Sequence, residues 1–476
     1  MYNWKCSKVK KREESQKKRK SGHMKQRERM EINEKTSMLV LAGPIFMELL
    51  LNILLSNVDT VMLSNYSQNA VGSVGNANQM MFLFIILFNV IASATGVVVA
   101  QYLGAKQTEN MNKIYSLAVI FNVTLGVLLS IIVFFGAGIF MKLLNVDASQ
   151  IENAVIYMKI VGAFLFLQAG YNVMIQILRC HGYTRIGMSI SIVVNLVNIV
   201  GNWMFLYGPL KYLNFGVAGV AISTVVARVV AVTVAFVIFF RLKIGRISIT
   251  ELRPFPTNIF IKMLRIGVPS AGENLLYSVY QLVLMSFINP MGPESANAKV
   301  YANTLMSFSV VFSNAMAQAT QIVTGHLVGA GREDAAEKRV IKTLYTALPV
   351  AVIIAAINCL ICPITLKIFN CDAATMTLVR QILMVGIVME IGRTSNLVVI
   401  GSMKAAGDVL FPVLVGVAVM WGVGVTVGYS CGVLFSLGVA GVFMGTASDE
   451  CVRGVIAFLR WKKGSWKGKN VVVRER

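Results

Sequence analysis

Residues 44–182 are written a second time at 269–407. A shift of 225 positions carries Pro44 onto Pro269, Glu48 onto Glu273, Asn78 onto Asn303 and Asn89 onto Asn314 without a gap. The same shift carries Gly104-Ala105 onto Gly329-Ala330, Lys142 onto Lys367, Asn145 onto Asn370, Asp147 onto Asp372 and Gly182 onto Gly407. Beyond that the register slips to 222, pairing Gly216-Val217-Ala218-Gly219 with Gly438-Val439-Ala440-Gly441. The second copy has therefore lost three residues around its last loop. Apolar segments resemble one another by composition, but matched Pro, Glu, Asn and Asp do not follow from composition. The chain must fold as two copies of one unit.

The unit is a bundle of membrane-spanning helices. Only 14% of the residues are charged, against ~25% in soluble domains, and 56% are hydrophobic. Runs of about 20 apolar residues recur along the chain, each long enough to cross a bilayer. Twelve can be read: 39–63, 79–102, 115–141, 154–178, 186–207, 217–240, 266–289, 302–328, 341–366, 378–401, 409–433 and 438–459. Six spans per copy is an even number, so both copies enter the membrane from the same side. The fold class expected is an all-α polytopic membrane protein of two pseudo-symmetric six-helix lobes. This parallel repeat has its axis along the membrane normal and a cavity between the lobes. The lobes are 38–240 and 266–460, joined by a linker at 241–265 that carries Pro254 and Pro256.

Charge placement orients the bundle and excludes other classes. The net charge of +22 is concentrated at the two ends. Residues 1–37 hold thirteen Lys/Arg against five Glu, and Arg460–Arg476 holds seven against one. Basic flanks on a polytopic chain stay cytoplasmic and meet anionic lipid head groups, so no nucleic-acid partner is expected. The loops after the fourth, sixth and eighth spans are basic as well, through Arg179, Arg185, Arg246, Arg253, Arg265 and Arg332, among others. The loops 64–78 and 434–437 have no Lys or Arg. The chain is thus expected in the cell membrane with both termini on the cytoplasmic side. The N-terminal arm is expected to be disordered; it has no apolar core of a signal peptide, and Met24 is an alternative start to Met1. The tail 461–476 is its basic counterpart. Seven cysteines form no framework, and the lone Cys359–Cys362 pair lies in an apolar span where zinc is not expected.

Polar groups inside the spans carry the chemistry. In Leu41–Leu63, Glu48, Asn52 and Asp59 fall on one helical face, the two acids within about 20° of each other. A carboxylate in hydrocarbon costs at least ~2.5 kcal/mol and must face protein or a watery cavity. Glu48 sits ~14 Å along its helix, near mid-membrane, and Asp59 ~30 Å along, near the outer end. Glu273, the repeat partner of Glu48, is followed on its face by Tyr277, Tyr280 and Gln281. Glu390 and Arg393, three apart, are neighbours on the tenth span, either as a structural pair or as part of a site. Asp449 and Arg453 in the last span read as structural. Polar stripes run along the fourth span (Gln168, Asn172, Gln176), the fifth (Asn195, Asn198, Asn202) and the eighth (Asn303, Asn314, Gln318, Gln321). Such stripes serve as interhelical hydrogen bonds or as the lining of a polar cavity.

Several stretches carry a family resemblance. They are Asn57-Val58-Asp59-Thr60, Gln101-Tyr102-Leu103-Gly104-Ala105, Arg179-Cys180-His181-Gly182, Lys404-Ala405-Ala406-Gly407-Asp408 and the two Gly-Val-Ala-Gly helix starts. In this order and at repeat spacing, the chain resembles the multidrug and toxic-compound extrusion (MATE) family over about 38–465. The resemblance implies that Asp59 is a proton or cation site of the first lobe. Some members of that family also have carboxylates in the seventh and tenth spans, and here the chain departs. The seventh-span position is held by Tyr277, and the tenth-span position falls on Arg393 with Glu390 a turn earlier.

The reading is a secondary antiporter, not an enzyme. It would export amphipathic, cationic compounds in exchange for H+ or Na+ by alternating access of two lobes. The coupling candidates are Asp59, Glu273, Glu48 and Glu390, with Na+ near Asp59 or Glu273 as the alternative to a proton. A carboxylate in a partly dry cavity holds either the ion or a cationic substrate, not both. Asn52, Gln168, Asn172, Asn195, Asn198, Tyr277, Gln281, Asn303, Asn314, Gln318 and Arg393 are the expected lining. No cofactor or resident metal is expected, and the chain reads as a monomer. The rival within transport is a flippase of lipid-linked or polysaccharide precursors, which a cavity dense in Arg and Lys would favour. An intramembrane lipid-modifying enzyme is the rival from another class; it would need a cluster of acid, base or metal at one membrane face.

Overall fold

A computed structural model describes residues 32–368 and 371–472, all helices and connecting segments without a strand among them. The expected disorder of the N-terminal arm falls, for residues 1–31, outside the described residues. The first lobe consists of α1 (Met38–Tyr66), α2 (Gln68–Gly104), α3 (Met111–Leu143), α4 (Ala148–Ala163), α5 (Leu165–Cys180), α6 (Thr184–Leu206) and α7 (Gly216–Arg241). Helices α4 and α5 are one span bent by 49°. The second lobe consists of α8 (Thr257–Ile288), α9 (Pro293–Gly329), α10 (Glu333–Ile368), α11 (Ala373–Ala406), α12 (Leu410–Leu434) and α13 (Gly438–Lys463). With α4 and α5 counted together these are the twelve expected spans. Among the described residues, eight helices are long and apolar enough to cross a membrane, nine with the bent pair. Helices α8, α9 and α13 complete the twelve with more polar sequences.

The helices outrun their apolar windows. Helix α2 starts at Gln68, inside the expected loop 64–78; α8 starts at Thr257, inside the expected linker; and α9 starts at Pro293. Hydropathy marks the length that suits lipid, while the backbone hydrogen-bond ladder continues into polar or basic turns beyond it. The repeat also reaches the caps: Asp147 accepts from Ser149 N to start α4, and Asp372 accepts from Thr375 N to start α11.

Within the first lobe α1 packs on α6, α6 on α7, and α2 and α3 on the α4–α5 span. In the second lobe α9 and α10 pack on α11, and α11 and α12 on α13. Helix α9 crosses to α1 and α2, and α2 crosses in turn to α8, so the contacts between lobes are reciprocal. One apolar core serves both lobes at the end with the basic loops, joining Leu41, Val98 and Ile177 to Ile322, Val399 and Trp461. Toward the other end each lobe has its own core, around Phe88 and Met158 in one and Tyr280 and Ile382 in the other. The lobes are thus joined at the basic end and separate beyond it.

The reciprocity holds atom by atom. A Cβ on Gly104 would lie 2.0 Å from the His326 carbonyl oxygen, and one on Gly329 2.0 Å from that of Gln101. Gln101 Nε2 donates to the Ala405 carbonyl at 2.6 Å, and His326 Nε2 lies 2.8 Å from the Cys180 carbonyl. Gly104 and Gly329, Gln101 and His326, and Cys180 and Ala405 are repeat equivalents. Swapping the lobes exchanges each contact for its partner, which is the parallel two-fold relation. Glycine at 104 and 329 lets the two backbones touch where α2 crosses α9.

Candidate functional site

The first lobe zips the polar face of α1 to that of α6. Ser191 Oγ donates to Asn52 Oδ1 at 3.3 Å, Asn195 Nδ2 to the Leu51 carbonyl at 3.2 Å, and Asn202 Nδ2 to Asp59 Oδ1 at 2.8 Å. Asn202 Nδ2 also reaches Asn198 Oδ1 at 3.1 Å, while Asn198 Nδ2 donates to Thr224 Oγ1 on α7 at 3.3 Å. Asn202 Oδ1 is buried beside this carboxylate without a hydrogen-bond partner. Gln168 donates to Asn172 at 2.7 Å and Asn172 to Asn89 at 2.9 Å, forming a second polar chain.

Glu48 lies on the same helix but in a different setting. Arg179 at the end of α5 reaches it at 2.8 Å, and the same guanidinium donates across the lobe boundary to Gln318 Oε1 at 2.8 Å. In the second lobe Lys404 Nζ reaches Glu273 at 2.6 Å. Both candidate carboxylates of the repeat therefore carry their own counter-ion.

A five-residue charge network joins α11 to α13. Glu390 meets Arg393 at 2.5 Å; Arg393 lies 3.7 Å from Glu450; Glu450 lies 3.4 Å from Arg453; and Arg453 meets Asp449 at 2.6 Å. Asn396 Nδ2 donates to Glu450 Oε2 at 2.7 Å. Glu390 and Asp449 are fully covered, while Arg393, Glu450 and Arg453 reach a cavity wall. Among the intramembrane carboxylates of the described residues, Asp59 is the one without a cationic partner.

Two cavities are walled mainly by the second lobe and closed on one side by the first, through Ile53 in one and Phe82 and Ser93 in the other. The larger, about 660 Å³, is lined by Glu273, Tyr277, Asn314, Gln318, Gln321, Arg393, Asn396, Lys404, Glu450 and Arg453 among apolar residues. The smaller, about 360 Å³, is lined by Tyr277, Gln281, Lys299, Asn303, Arg393 and a mostly apolar wall. Gln281 Nε2 donates to Tyr277 Oη at 2.9 Å, and Asn314 bonds back to the Val310 carbonyl at 3.0 Å. The expectation of a cationic substrate rested on the carboxylates Asp59, Glu273, Glu48 and Glu390. The charges on these cavity walls are instead mostly cations. Lys299, Lys404 and Glu450 were not among the expected site residues. Lys299 precedes the apolar window of its helix, Lys404 acquires meaning only through Glu273, and Glu450 has a local partner in Arg453 but joins the network through Arg393 and Asn396 on α11.

The chain matches the MatE family at 44–204 and again at 269–430, each match starting at one of the repeat-equivalent prolines. The uncharacterized transporter YisQ of Bacillus subtilis is 33% identical over 91% of this chain and 96% of its own length. The probable multidrug resistance protein NorM of Thermotoga maritima is 24% identical over 92% of this chain and 94% of its own. Among solved structures, an outward-facing multidrug resistance MATE family transporter of the MOP superfamily has a TM-score of 0.83 at 21% identity, covering 92% of this chain and 98% of its own. A MOP superfamily transporter from Pyrococcus furiosus, described as having a binding pocket of reverse polarity, gives 0.84 at 20% identity, covering 91% and 96%.

Proposed function

The chain belongs to the MatE family of secondary transporters, and from that premise we propose that it exports amphipathic organic compounds across the cell membrane in exchange for H+ or Na+. The observation that carries the coupling assignment is Asp59. Its neighbour Asn202 donates one hydrogen bond and leaves a buried carbonyl oxygen unused. A lone carboxylate beside an unused oxygen offers a proton or a small cation the partners it needs, and the ion must leave before the charge is free again. Rocking of the lobes about the Gly104–Gly329 crossing would expose this site to each side in turn. The basic loops and both termini face the cytoplasm in this reading, with anionic lipids at the tails and a single chain as the working unit.

A second reading concerns the cargo. The expectation of a cationic compound rests on the acids, yet Arg393, Lys404, Arg453 and Lys299 line the second-lobe cavities. The first three are paired with carboxylates, and the unpaired cation, Lys299, favours an amphiphile with an anionic group, as a lipid-linked precursor has. The coupling test is efflux from proteoliposomes under separately imposed H+ and Na+ gradients. One gradient should drive the wild type, and Asp59→Asn should insert and fold yet lose the driven component. Wild-type efflux by Asp59→Asn would move the coupling ion elsewhere, to Glu390 first.

A further inference from the structure

We propose that the smaller cavity of the second lobe receives an anionic amphiphile and that Lys299 meets its phosphate or carboxylate. This deepens the exporter reading, resting on the second-lobe cavities as the substrate path but not on the identity of the coupling ion.

The cavity, about 360 Å³, lies within the ~300–1,000 Å³ common to small-molecule sites. Its wall is apolar through Leu284, Ile288, Met306, Met389 and Phe443, which suits a hydrocarbon body. The two charged side chains on that wall, Lys299 and Arg393, are both cations. Arg393 is already paired with Glu390 at 2.5 Å. The contact recorded for Lys299 Nζ is Met285 Sδ at 3.4 Å, a weak acceptor without charge. An ammonium held over an apolar cavity without a counter-ion is poorly solvated, and an entering anion would satisfy it with a charge-assisted hydrogen bond.

The repeat supplies an independent reason. The position equivalent to Lys299 in the first lobe is Val74, buried in the core. A side chain required by the shared architecture would recur, as Glu48 and Glu273 do. Lys299 does not recur, so the scaffold does not need a cation there. Tyr277 and Arg393 also line the larger cavity, so a head group bound at Lys299 has a polar route beside it.

The test uses the full chain in nanodiscs of phosphatidylcholine, with empty nanodiscs as the partition control. Decyl phosphate and decyltrimethylammonium, matched in tail, are titrated by tryptophan fluorescence. Decyl phosphate should bind more tightly. Lys299→Gln should weaken it roughly tenfold or more, since a charged hydrogen bond is lost. Lys299→Arg should retain binding, and decyltrimethylammonium should not weaken in either variant. If Lys299→Gln does not fold, Lys299→Met keeps the apolar stem and tests the same loss. Inorganic phosphate at matched concentration should fail to compete; effective competition would overturn the amphiphile. Equal or tighter binding of the ammonium probe, or unchanged affinity in Lys299→Gln, would overturn the site. Loss of driven efflux in Asp59→Asn with decyl phosphate binding intact leaves this inference standing, and the reverse result leaves the coupling reading standing.

Discussion

Lys404 pairs with Glu273 at 2.6 Å, and the two residues stand at the repeat positions of Arg179 and Glu48, which pair at 2.8 Å. The same ion pair is therefore built twice, once in each lobe, near the end where the lobes join. What recurs under the repeat belongs to the scaffold. Asp59, Lys299, Glu390, Arg393, Asp449 and Arg453 face Leu284, Val74, Leu165, Gln168, Ala227 and Ala231 at their equivalent positions. None of these six charges recurs as a charge, which singles them out as groups retained for what one lobe does.

Neutralising the twin carboxylates should then act on stability first. Removing one partner of a buried pair leaves a stranded charge and costs ~3–5 kcal/mol, less when water reaches it. The Glu48 side chain is 5% exposed and that of Glu273 is 12% exposed. Glu48→Gln should lower the melting temperature and folded yield more than Glu273→Gln. Equal melting of both variants and wild type would show that the pairs do not brace the lobes.

The α11–α13 network holds three carboxylates against two guanidinium groups. Asp449→Asn removes the surplus negative charge and leaves Glu390, Glu450 and both arginines balanced. Arg453→Gln strands Asp449 and half of Glu450. Thermal melting should show Asp449→Asn near wild type and Arg453→Gln strongly destabilised, by ~3–5 kcal/mol. The opposite order would mean that Asp449 is not the surplus group.

At the helix crossing, Gly104→Ala and Gly329→Ala each place a carbon 2.0 Å from a carbonyl oxygen of the facing backbone. Backbone cannot rotate away as a side chain can, so the two helices must part. Spin labels at the basic ends of α2 and α9 should report a longer distance in either variant, and by similar amounts because the contacts are equivalent. A distance unchanged from wild type would show that α2 slides past α9 without opening.

Much of this was legible in the sequence, because a repeat of Pro, Glu, Asn and Asp is visible before any fold is known. The twelve spans, the shared face of Glu48, Asn52 and Asp59, and the Glu390–Arg393 pair are all local in sequence. The helix starts at Gln68, Thr257 and Pro293 were not legible, since polar turns end the apolar signal before they end the helix. Neither were the partners of Glu48, Glu273 and Asp59, which lie more than a hundred residues away at Arg179, Lys404 and Asn202. Glu450 joins two arginines only because α13 lies against α11. Lys299 was hidden by its place ahead of the apolar window.

The C-terminal segment should hold the lobes together at the basic end. After α13, Trp466 folds back to stack on Trp461 with ring centroids 4.0 Å apart and donates to its carbonyl at 2.9 Å. Lys467 reaches Asp334 at 2.7 Å and Glu337 at 2.8 Å; Lys469 reaches Asp408 at 2.7 Å; and Val471 N donates to Gln101 Oε1 of the first lobe at 2.7 Å. Gln101 is also the donor to Ala405, so the strap ends on a residue that bridges the lobes. The hydrogen bond from Lys467 holds the Asp334 carboxyl below the usual carboxylate range. A lowered value means that the contact is present above that range and lost only as pH falls through the lowered one. From pH 5 to 8 the strap should therefore not respond to pH. Asp334 is exposed, so its ion pair contributes little, and salt should weaken the strap only slightly. Truncation after Gly464 removes the Trp466 stack and the Gln101 hydrogen bond as well. It should lengthen the α2–α9 distance in the spin-label measurement at low and at ~1 M salt alike. A truncated chain with the wild-type distance would show that the lobes close without the strap, and an effect confined to low salt would assign the closure to the lysines alone.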